Sequence, residues 1–170
     1  MRFPLYYFII IGILGLILLY SYYYYAVNNP NVLKLWGKIK NNFLYTYYIS
    51  IFISVLLFLF LLLYLAISKN FEKNDINKLF IAISSIIFFS LFWMPLSIQY
   101  LKKHNYFTKF LIYLVLFLVS LSSFYLLTIL SNINDSQHIV LKNISFYGMI
   151  YFFIHVFCFD FILWTYNFFN

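Results

Sequence analysis

Charge is scarce in this chain: only 9% of its 170 residues are Asp, Glu, Lys or Arg, against 65% that are hydrophobic. A water-soluble domain carries roughly 25% charged and about 45–50% apolar residues, so a soluble globular fold is excluded. One cysteine, Cys158, rules out an internal disulfide and any cysteine-rich metal site. Glycine and proline are nearly as rare, and no glycine-rich phosphate loop, HExxH, CxxC or G-x-S-x-G occurs. The three histidines and four carboxylates are scattered over different segments. They compose no metal or cofactor constellation, so the sequence points to no cofactor.

What remains is apolar sequence in blocks, each long enough for the about 20 residues that a helix needs to cross a bilayer. The expected fold is an all-α integral membrane protein forming a single domain over 1–170. Its bundle comprises five transmembrane helices at about 5–26, 43–67, 79–101, 110–130 and 145–166. Lysine far outnumbers arginine, and Phe, Tyr, Ile and Asn abound, as an AT-rich coding sequence would dictate. The run Tyr22-Tyr23-Tyr24-Tyr25 is therefore no sign of a binding surface by itself. The net charge of +7 comes from lysines in short loops beside the spans. Anionic headgroups and membrane topology account for them without nucleic acid.

In the first span, Arg2 precedes a long apolar run with no A-x-A-like cleavage site, which reads as a retained anchor. After it, Asn29 and Pro30 form a helix-start signal. At 100° per residue Val32, Leu33, Leu35, Trp36 and Ile39 fall on one side, with Lys34, Lys38 and Asn41 opposite and Lys40 at the border. This predicts a short interfacial amphipathic helix over about 30–42, with Lys34, Lys38 and Lys40 facing lipid phosphates. In span two, Tyr47, Ser50, Ser54, Leu61 and Tyr64 share a stripe, the pattern of a helix–helix seam with hydroxyl groups bonding across it. The stretch 68–78 reads as a solvated turn, and His104 as a solvated loop residue. In span three, Pro95 interrupts the hydrogen-bond ladder beside Trp93, which marks Trp93 and Pro95 as a candidate kink or hinge. Ser90 and Ser97 lie on the Trp93 face.

The last span holds the only histidine and the only acid inside an apolar run, His155 and Asp160. Ionisable groups at that depth are costly and mark functional sites by default. On α-helical spacing, Gly148, Tyr151, His155, Cys158, Ile162 and Thr165 form one stripe. Asp160, five residues after His155, then lies about 140° away. The expectation is two separate sites. His155 with Tyr151 and Cys158 would face the bundle, either as a functional group or as a neutral imidazole hydrogen-bonded to a neighbouring helix. Asp160, with Trp164 one turn on, would point toward Gln99, Lys102 and Lys103 and form a salt bridge or a cation site.

Five spans put the termini on opposite sides. Lys34, Lys38, Lys40, Lys102, Lys103 and Lys109 then face Arg2, Lys69, Lys73, Lys78 and Lys142 across the membrane. The counts lean toward the N-terminus outside and the C-terminus in the cytoplasm. Two sequons, at Asn134 and Asn143, lie on the outer side in that orientation. With no catalytic motif, the leading expectation is a non-enzymatic structural or assembly component that contacts other membrane proteins or itself. A small transporter or channel using His155 and Asp160 is the alternative, and a membrane-embedded enzyme the third.

Overall fold

The computed structural model covers residues 1–170 and describes every side chain except those of Asn41 and Asn42. The expected position of Asn41 on a polar helix face therefore lies outside the described residues. Helix α1 spans Leu5–Asn28, α2 Asn41–Ile67, α3 Lys73–Lys103, α4 Tyr106–Asn132 and α5 Ile139–Ile154. A π-helical segment, His155–Trp164, continues α5 without a break and leads into the short α6, Thr165–Phe169. Counting α5 to α6 as one rod, five helices are long and apolar enough to cross a membrane. Helices suit that setting because every backbone N–H and C=O is satisfied within the segment.

Three helices begin earlier than hydropathy indicates: α3 at Lys73, α4 at Tyr106 and the last rod at Ile139. Charged residues end an apolar run without ending a helix. Asp75 in the first turn of α3, and Lys102 and Lys103 in its last, suit the helix dipole. α3 runs through Pro95 without a break, and Ser97 Oγ donates to the Trp93 carbonyl at 2.7 Å. Between α3 and α4 the turn is minimal. His104, exposed as expected, caps α3 in the left-handed region at φ 46°, and Asn105 Oδ1 accepts the Phe107 N–H at 2.9 Å.

That tight turn holds α3 and α4 together along their length. α1 packs on α3, α5 on α4 and α2 on α5, giving the neighbour order α1, α3, α4, α5, α2. α2 thus lies against the last rod rather than beside either helix that adjoins it in sequence. The stripe Tyr47, Ser50, Ser54, Leu61 and Tyr64 is buried throughout, as a seam should be. Gly148 of α5 makes the close approach possible, since a Cβ there would lie 3.1 Å from the Leu57 side chain. Only Ile11 of α1 is buried, so this helix lies on the outside of the bundle.

Loop 1, residues 29–40, is not an amphipathic helix lying flat. Asn29 Oδ1 does accept the Asn31 N–H at 3.0 Å, but the chain then makes only a single 3-10 turn, Val32–Trp36. Gly37, at φ 54°, reverses its direction. Leu35 and Ile39 are driven into the end of the bundle, and Lys34, Lys38 and Lys40 project outward. The Lys38 N–H donates to the Asn167 carbonyl at 3.1 Å, and Trp164 Nε1 donates to the Leu35 carbonyl at 2.8 Å. Tertiary anchors override the amphipathic pattern because two apolar residues gain a core and two backbone carbonyls gain donors.

The opposite end is tied as well. The stretch after α2 is more than a solvated turn, since Ser68 is fully buried and its hydroxyl donates to Asp135 Oδ2 at 2.6 Å. Asn70 Nδ2 and the His138 N–H donate to Asp135 Oδ1 at 3.0 and 3.2 Å. Burial pushes the Asp135 carboxyl up, but these donors, with His138 nearby, outweigh it and hold the group below its ordinary value.

Candidate functional site

The polar site lies where the regular helix ends. In a π-helix each hydrogen bond spans five residues instead of four, so a residue five positions on returns to the same face. The segment His155–Trp164 has that winding, and it overturns the expectation of two separate sites. His155 Nε2 lies 3.6 Å from Asp160 Oδ1. On an α-helix the same two residues would point about 140° apart.

The change of winding re-sorts the stripe. Gly148, His155 and Thr165 remain buried, whereas Cys158 and Ile162, expected beside them, are exposed on the outer surface. Trp164 turns inward and is fully buried. It is no companion of Asp160 but a keystone for the end of the bundle. Its ring packs on Trp93 at 5.2 Å and Phe168 at 4.5 Å between ring centres, and its N–H holds loop 1.

Helix α2 supplies the other half of the site. The Tyr47 hydroxyl donates a hydrogen bond to Asp160 Oδ1. Ser50 Oγ lies 2.7 Å from His155 Nδ1 and 2.9 Å from the Tyr151 hydroxyl. Asp160 is thus held by Tyr47 and His155, not by the lysines beyond the end of α3. The Trp36 ring of loop 1 covers Tyr47 edge-on at 5.3 Å, while Phe159 stacks on His155 at 5.5 Å. From α1, Tyr22 donates to the Ser90 carbonyl at 3.0 Å and packs on Trp93. Among the described residues the buried Trp93 indole N–H has no acceptor.

These contacts have a chemical direction. With Nε2–H turned to the carboxylate, His155 Nδ1 accepts from Ser50, whose oxygen accepts from Tyr151. The Nε2 to Oδ1 distance of 3.6 Å is just beyond hydrogen-bond range, and across it the Nε2–H dipole points at the carboxyl oxygen. A hydroxyl, an imidazole and a carboxylate in series can take up, hold and pass a proton. The Asp160 side chain keeps 25% of its surface accessible, against 5% for His155.

Of the residues that the sequence singles out in the last span, His155, Asp160 and Tyr151 come together, whereas Trp164 and Cys158 are sent elsewhere. Tyr47 and Ser50 are visible in the sequence as part of the α2 seam, but nothing in their spacing reveals the groups opposite them. Among the described residues no three His, Cys, Asp or Glu side chains gather in a metal-binding group. No family model, curated protein or solved structure matches this chain.

Proposed function

We propose that this chain is a multi-pass membrane protein that binds a proton or a small cation within its helices and works as a small transporter or channel. Asp160 is the cation-binding group, His155 its proton-exchanging partner, and Tyr47 and Ser50 hold the two in place. The observation that carries this reading is the approach of His155 to Asp160 across a π-helical segment. Ionisable side chains gathered at membrane depth are expensive and by default mark an ion or proton path. π-Helical insertions are rare and concentrate at functional sites.

Reconstitution into sealed vesicles tests the proposal. Wild-type protein carries protons or small cations down an imposed gradient, and His155→Ala and Asp160→Asn each abolish the flux. Absence of flux in the wild type, or flux unchanged in both variants, rejects a transporter or channel.

A second reading, an accessory component of a membrane complex, is favoured by α1, where only Ile11 is buried. A helix so placed has most of its surface available for a partner subunit. Purification in mild detergent separates the two readings, since a protein that runs alone as a monomer counts against the accessory role.

A further inference from the structure

We infer that the end of the bundle built from loop 1, the α3–α4 turn and α6 is a binding surface for anionic phospholipid headgroups. The fold sorts the charges of the chain unequally. Glu72, Asp75 and Asp135, three of its four carboxylates, lie at the far end, and the fourth, Asp160, is engaged by Tyr47 and His155. The loop 1 end therefore presents Lys34, Lys38, Lys40, Lys102 and Lys103 with no carboxylate side chain outside the spans. All five are exposed, and among the described residues none is ion-paired.

The surface is also ordered. Loop 1 is pinned by Leu35 and Ile39 in the core, by the Trp164 indole and by the Lys38–Asn167 backbone bond. Lys34 and Lys38 thus project from a fixed turn rather than from a mobile linker. Exposed Tyr45, Tyr106 and Tyr166 ring the same end, the side chains that occupy the headgroup boundary of a bilayer. In a bilayer, tyrosines at the headgroup boundary would set lysines at the same end of the bundle near phosphate depth, where anionic lipid attracts them. Phosphate esters of a lipid, rather than a soluble anion, match that placement.

Native mass spectrometry of the intact chain released from mixed micelles tests the inference. Wild type retains phosphatidylglycerol several-fold more than phosphatidylcholine, and the excess falls as ionic strength rises. Lys34→Gln/Lys38→Gln/Lys40→Gln loses the preference, while Lys69→Gln/Lys73→Gln/Lys78→Gln at the far end keeps it. Excess glycerol phosphate leaves the adducts in place. Equal retention of the two lipids by wild type, equal loss in both triple variants, or displacement by glycerol phosphate overturns the inference. The wild-type comparison decides the matter even where a variant fails to fold.

Discussion

His155 Nε2 and Asp160 Oδ1 approach to 3.6 Å although they stand five positions apart along one helix. The helix is wound in π form between them, which is what returns Asp160 to the face that α2 covers.

A π segment holds surplus residues relative to an α-helix, so shortening it is an easy change. Removing the half-buried Phe157 would place histidine and aspartate four apart, still on one face of an α-helix. The deletion variant is expected to fold, with a melting temperature within a few degrees of wild type. Removing Leu118 from the regular α4 rotates the remainder of that helix by about 100° and is expected to abolish folding. Thermal melts of the two purified deletions in detergent make the comparison, and equal loss in both would contradict the assignment.

Tyr47 acts on Asp160 directly, so its effect depends on that partner. Tyr47→Phe removes the donor from a half-buried carboxylate and is expected to destabilise by about 1–3 kcal/mol. In an Asp160→Asn background the same change should cost much less, giving a coupling of about 1 kcal/mol or more. Denaturation of the four proteins in the cycle measures it, and additive effects would show that the two side chains act independently.

Gly37 is required for two reasons at once. Its φ is 54°, and a Cβ would stand 2.2 Å from the Asn167 carbonyl oxygen. Gly37→Ala should therefore cost more than about 1 kcal/mol and free loop 1 from α6. Limited proteolysis between 33 and 40, slow in wild type and fast in the variant, reads the release. Wild-type resistance in the variant would mean that the contact is dispensable.

Asp135 gives the far end a pH dependence with a definite sign. Its carboxyl is held below the ordinary value by Ser68, Asn70 and the His138 N–H, despite the opposing effect of burial. The folded state therefore favours the carboxylate. Its contribution is complete above the unfolded pKa of a carboxyl and is lost as pH falls through the lower folded value. Hydrogen exchange in 68–72 and 133–138 should accelerate on acidification in wild type. In Asp135→Asn it should already be fast, with a flat pH response. A wild-type profile parallel to that of the variant would remove Asp135 as the latch.

The sequence and the structure agree wherever a regular α-helical period persists. The five apolar rods are plain from composition, and on α2 the stripe from Tyr47 to Tyr64 is the buried face, because α2 remains α-helical. Agreement stops at the residues whose conformation is set by distant partners. The π winding exchanges Cys158 for Asp160, and no local pattern announces it, since apolar residues surround both positions. Loop 1 has an amphipathic sequence, yet its path is determined by Trp164 and Asn167, more than 120 residues away. Asp135 looks like an ordinary loop acid until Ser68 and Asn70 are brought against it by the packing of α2 on α5.

Infrared difference spectroscopy of the protein in bilayers, taken across a pH step, tests most directly whether His155, Asp160 and Tyr47 form one proton-exchanging unit. The expected result is a carboxyl band that disappears in Asp160→Asn and shifts in both His155→Ala and Tyr47→Phe. A band that Asp160→Asn removes but neither other variant shifts would contradict a single unit.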